Sequence, residues 1–135
     1  MENSSKILII NSDKAELIRV SAFLSEVFEE YNLSLKYFNK VLLCISEAII
    51  NSIEHGNQND KRKYVTIEIS YYNSKIHIEI HDEGEGFNYC KLADPTTIEN
   101  IKKESGRGIH IIKSLSDSLC YNEKGNKVKL KIECK

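Results

Sequence analysis

A two-layer α+β sandwich, with three main helices on one face of a mixed, mostly antiparallel sheet, is what this 135-residue sequence predicts. Two observations carry that prediction. Val65–Tyr72 (VTIEISYY) and Lys75–Asp82 (KIHIEIHD) alternate apolar with polar residues, as strands with one covered and one wet face do. Other segments repeat apolar residues at helical spacing and supply the covering layer.

In chain order, the short apolar run Lys6–Asn11 (KILIIN) suits a first strand. Ser12 and Asp13 then offer N-cap oxygens, with Glu16 placed for a capping box. The first helix follows, with Leu17, Val20, Phe23 or Leu24, Val27 and Phe28 at its spacing. A second helix starts near Ser34 and stops at Gly56, a favoured C-terminal residue. Asn57–Lys63 (NQNDKRK) reads as a polar connector. The two alternating strands are joined by Asn73 and Ser74, a hairpin signal. Residues 88–105 contain the only proline, Pro95, and read as a long loop. Gly106–Leu119 suggests a third helix with Ile109, Ile112 and Leu115 on one side, and a last hairpin turns around Gly125. With no repeat or linker in view, residues 1–135 are expected to form a single domain.

The charges balance, 19 basic against 20 acidic residues, so no electrostatic footprint for nucleic acid or an anionic membrane is present. No apolar stretch reaches membrane-spanning length, and the N-terminal MENSSKILIINSDK does not resemble a signal peptide. Cys44, Cys90, Cys120 and Cys134 are scattered, which favours reduced thiols and a cytoplasmic location over a disulfide framework or zinc site.

Three constellations could carry chemistry. In SEAIINSIEHG, Glu47, Asn51 and His55 recur every four residues, giving one helical stripe. Such a stripe also reads as a solvated face, but a carboxamide oxygen suits Mg2+ and a carboxylate can take a proton from a hydroxyl. In HDEGEGFN, alternation puts Asp82 on the same side as Ile76, Ile78 and Ile80. A carboxylate aimed inward needs a partner, which a ligand amine can supply. Gly84 would let a flat base come close, although two glycines can equally be a turn that ends a strand. In SGRGIHIIKSL, Gly106, Arg107 and Gly108 precede a helix, an arrangement that binds phosphates or simply breaks the chain. Neither glycine cluster is a P-loop or a full dinucleotide-binding fingerprint.

The order of these pieces is more specific than any one of them. ExxxN on a helix, DxGxGF at a strand end, a long loop, then GRG opening a helix resembles the GHKL or Bergerat-fold ATPases, which include histidine kinases. Within that superfamily, SEAIINSIEHG, DEGEGF, LADPT and GRGIHIIKSLSD look most like the anti-sigma-factor serine/threonine kinases of bacteria. The resemblance implies ATP and Mg2+ as cofactors, with Glu47 the general base and Asn51 the Mg2+ ligand. By the same resemblance, Asp82 binds the adenine amine, Gly84 lies beside the base, and Gly86 and Phe87 open a lid over residues 88–105. The backbone of Gly106, Gly108 and Ile109 would meet the phosphates, with Arg107 a charge partner, while His55 has a supporting role. It also implies a sigma factor and an anti-sigma-factor antagonist as partners, the antagonist accepting phosphate on a serine, and a homodimer through the first helix. The stripe Leu17, Val20, Leu24 and Val27 would serve that dimer or belong to the core. Asn88, His110 and Lys129 depart from the family pattern, Lys129 standing where relatives place a threonine near the adenine pocket. The alternative function is a non-catalytic nucleotide-binding switch that sequesters a regulatory partner, against which Glu47 argues because binding alone needs no base.

Overall fold

A computed structural model describes residues 5–84, 116, 118–122 and 126–135. Its strands are β1 (Lys6–Asn11), β2 (Tyr64–Tyr72), β3 (Lys75–Asp82), β4 (Ser118–Tyr121) and β5 (Lys127–Glu133). Its helices are α1 (Leu17–Glu30) and α2 (Phe38–Asn51), the latter continued by one π-helical segment, Ser52–Gly56. The strands form one sheet in the order β1-β2-β3-β5-β4. Every pairing among the described strands is antiparallel, so the expected admixture of parallel strands is absent there.

Alternation along β2, β3 and β5 does what the sequence pattern requires. Val65, Ile67 and Ile69, then Ile76, Ile78 and Ile80, then Val128, Leu130 and Ile132 are all buried. Val20, Leu24, Val27 and Phe28 of α1 and Val41, Cys44, Ile45, Ala48 and Ile49 of α2 join the same core. The α1 stripe is therefore spent inside the chain and is not free to form a dimer contact. Burial pushes the Cys44 thiol up to about 11, so it stays protonated and packs as a small apolar group.

Local chemistry fixes the ends of these elements. Asp13, not Ser12, caps the turn into α1, accepting from the Ala15 N–H at 3.0 Å. Glu16 reaches back past it to the Asn11 N–H rather than closing a capping box. Helix α1 ends in a left-handed Asn32 (φ 56°), with the Leu33 N–H bonded to the Phe28 carbonyl at 2.9 Å and the Asn32 N–H to Glu29. Between β2 and β3, Asn73 and Ser74 both take positive φ (54° and 61°), the two-residue turn whose twist matches paired strands.

The expected third helix differs from the structure at its C-terminal end. Ser118 and Leu119, assigned from sequence to its end, belong to β4. Leu119 stands four residues after Leu115, which suits a helix, but two before Tyr121, with which it packs on the core. The remainder of that expected helix, residues 106–117 apart from Ser116, and the 88–105 loop lie outside the described residues. No helix among the described residues is long and apolar enough to cross a membrane.

Candidate functional site

Asp82 ends β3 directly opposite Val65 of β2, and the pleat carries its side chain to the helix-covered face, where it is 2% exposed. The carboxylate is not left bare. Its Oδ1 accepts the Gly84 N–H at 2.8 Å, and the Asp82 N–H donates to the Asn126 carbonyl at 3.0 Å. Tyr121 of β4 lies within its field. Burial first, and then the negative charge of Asp82, hold the Tyr121 phenol well above its usual range, so it remains protonated.

Two glycines form the floor under this carboxylate. A Cβ on Gly56 would stand 2.2 Å from Asp82 Oδ2 and 2.3 Å from its Cγ. A Cβ on Gly84 would stand 1.8 Å from the Gly56 carbonyl oxygen. The turn after β3 thus lies flat on the end of the α2 extension, an approach that only hydrogen side chains permit. Gly84, expected from sequence to lie beside a flat base, is seen here in close approach to the Gly56 backbone, and Gly56, read from sequence only as a helix stop, lies against the Asp82 carboxylate.

The π-helical segment is what delivers Gly56 there. Its widened turn is closed by the Asn57 N–H donating to the Ser52 carbonyl at 2.8 Å, five residues back. The chain then leaves through two left-handed residues, Gln58 and Asn59 (φ 53° and 61°). The expected stripe runs from α2 into this segment. Glu47 and Asn51 lie four apart on α2, and His55, half-buried, falls in the π segment.

Glu47 is half-buried and Asn51 is 1% exposed. The Asn51 Nδ2 has no hydrogen-bond partner among the described residues. A buried amide without a partner is costly in a finished core, and here it fits a group brought by a ligand. The carboxamide offers an oxygen to a hard cation and an N–H to a phosphate oxygen. No cluster of three or more His, Cys, Asp or Glu side chains suited to a metal occurs among the described residues. A cation held by one side chain and by phosphates does not require such a cluster.

Two other expectations resolve differently. Lys129 is exposed between buried Val128 and Leu130, so it points to the wet face, away from Asp82. Asn57, counted from sequence as part of a polar connector, is completely buried. The only sequence hint was an asparagine directly after the helix-ending glycine. Gly86, Phe87, Asn88, Gly106, Arg107, Gly108, Ile109 and His110 lie outside the described residues.

The histidine kinase-like ATPase domain family matches this chain over residues 10–132. An anti-sigma F factor of Clostridium botulinum (strain Eklund 17B) is 27% identical over 138 residues, covering 96% of this chain and 94% of that protein. The serine-protein kinase RsbW of Staphylococcus aureus (strain JH9) is 29% identical over 123 residues, covering 85% of this chain and 76% of that one. Among solved structures, the RsbU and RsbW domains of a Mycobacterium tuberculosis protein superpose with a TM-score of 0.69 at 13% identity. That superposition covers 97% of this chain and 32% of the longer protein, and at such identity it shows the fold alone.

Proposed function

This chain belongs to the histidine kinase-like ATPase domain family, and we propose that it is an anti-sigma-factor serine kinase. It would bind a sigma factor and transfer the γ-phosphate of ATP to a serine of an anti-sigma-factor antagonist. The names of its relatives, an anti-sigma F factor and a serine-protein kinase, support this reading. The observation that carries it is the Asp82 carboxylate, buried over Gly56 and Gly84 at the end of an otherwise apolar strand. A carboxylate held in that way matches an exocyclic amine such as adenine N6 and repels the carbonyl that guanine presents at the same place.

The roles follow from side-chain chemistry. Glu47 accepts the proton of the seryl hydroxyl as its oxygen bonds to the γ-phosphorus, the bond to the β–γ bridging oxygen breaks, and ADP leaves. Asn51 would hold Mg2+, which when bound neutralises charge on the phosphates. The backbone of Gly106, Gly108 and Ile109, with Arg107, would meet the phosphates, and Gly86 and Phe87 would open a lid over 88–105. A cytoplasmic homodimer is part of the same proposal. With Val20, Leu24 and Val27 taken by the core, α1 offers it the outer face that carries Ile18, which is 80% exposed.

Incubating the protein with Mg-ATP and an antagonist encoded beside it should produce phosphoserine on the antagonist, read by mass spectrometry. Absence of transfer to any such antagonist, with ATP still bound, would leave a nucleotide-binding switch instead of a kinase. The Asp82→Asn variant should keep its fold, since an amide oxygen can still accept the Gly84 N–H. Losing the charged half of the base contact should weaken ATP about ten- to a hundredfold in calorimetry. Unchanged affinity would remove Asp82 from the pocket.

A further inference from the structure

Asn57 uses every polar group it has. Its side-chain Nδ2 donates to Ser12 Oγ at 2.7 Å and to the Tyr64 carbonyl at 2.9 Å. Its Oδ1 accepts the Glu83 N–H at 2.8 Å. Its own N–H closes the π segment on Ser52, and its carbonyl accepts the Asp60 N–H at 3.0 Å. One side chain thereby joins the residue after β1, the start of β2, the end of the α2 extension and the residue after β3. Ser12 adds a second link by donating to the Lys63 carbonyl at 2.9 Å.

The bond to Glu83 is the one with consequences for the site. Glu83 sits between Asp82, which aims its carboxylate inward, and Gly84, which lies on Gly56 and caps that carboxylate. Fixing the Glu83 N–H fixes the Asp82–Glu83 peptide, on which the Asp82 carboxylate is mounted, and so limits the direction in which its remaining oxygen points. A carboxamide is the side chain that can do this, because it supplies two donors and an acceptor at once. Aspartate keeps the acceptor and loses both donors, and alanine loses all three.

We infer that Asn57 is a positioning residue for base selection: it holds the Asp82–Gly84 turn on Gly56 so that the carboxylate meets adenine and rejects guanine. This rests on the nucleotide reading of the site. Asn57 touches no substrate itself, and its effect passes through Glu83.

The test uses three variants of the full chain, with binding of ATP and GTP measured by calorimetry and amide exchange followed at single residues. Asn57→Ala should lose at least about tenfold in ATP affinity, through loss of a buried hydrogen-bond set, and most of its preference for ATP over GTP. The Glu83 and Gly84 amides should exchange faster while those inside β2 and β3 keep their protection. Ser12→Ala removes an anchor of Asn57 without touching Glu83, so it should melt earlier yet bind ATP within about twofold of the parent. Asn57→Asp keeps the acceptor and should retain both the ATP preference and Gly84 protection at a lower melting temperature.

A folded Asn57→Ala protein with parental nucleotide preference and parental Gly84 protection overturns the inference. If that variant does not fold, Asn57→Asp decides, and loss of Gly84 protection there overturns it equally. Should the parent bind neither nucleotide, the proposed function fails. The exchange of the Glu83 and Gly84 amides would still report whether Asn57 sets this turn.

Discussion

Glu47→Ala should bind ATP as tightly as the parent and transfer its phosphate at least about a hundredfold more slowly, the lower end of what a positioned general base contributes. The residue lies in the C-terminal half of α2, half-buried, between the core positions Cys44, Ile45, Ala48 and Ile49. Alanine is the best helix former, so the substitution does not oppose the local structure. The buried Asp82 carboxylate, the two glycines and the Asn57 tether lie elsewhere, at the end of β3 and the end of the α2 extension. Chemistry and binding should therefore separate cleanly in single-turnover transfer and calorimetry. Glu47→Gln, which keeps the shape and removes the base, should be as slow as alanine. A parental transfer rate in either variant would deny Glu47 the proton. Loss of ATP binding in a folded Glu47→Gln protein would place the residue in nucleotide recognition instead.

The parts of this molecule that the sequence disclosed are those governed by a period. Three strands alternate without a bulge, so counting from Ile76 to Ile80 carries correctly to Asp82 and finds the buried carboxylate. The α1 and α2 stripes point to the core for the same reason. What could not be read depends on contacts between residues far apart in the chain. Gly56 meets Asp82 and Gly84, and Asn57 meets Ser12 and Glu83, none of which a local window contains. The π segment, in which His55 lies, is also invisible to a count of four. Lys129, a departure from the family pattern, does not face Asp82. The alternation of Val128, Lys129 and Leu130 already turned it to the wet face. At Leu119, two periods fitted one residue, and pairing with β5 selected the strand.

Gly84→Ala should cost about 1–3 kcal/mol of stability, the range for a forced overpacking, and should take most of the ATP affinity with it. The added Cβ would lie 1.8 Å from the Gly56 carbonyl oxygen, 2.4 Å from its carbon and 2.9 Å from its Cα. All three are backbone atoms, so no side chain can rotate away to relieve the contact. The Gly56 backbone is itself confined, because Asp82 lies against its other side and the next residue, Asn57, is tied to Ser12, Tyr64 and Glu83. The turn must then lift off the α2 extension. Lifting it stretches the Gly84 N–H bond to Asp82 Oδ1 and tilts the carboxylate. Gly56→Ala provides the contrast. Its Cβ would strike the Asp82 carboxylate at 2.2 Å, a side chain, so the damage should fall more on ATP affinity than on stability. Urea unfolding and calorimetry on the two variants separate these effects. A Gly84→Ala protein with parental stability and parental affinity would mean that the turn and the helix extension do not touch in solution. The buried carboxylate would then need another explanation.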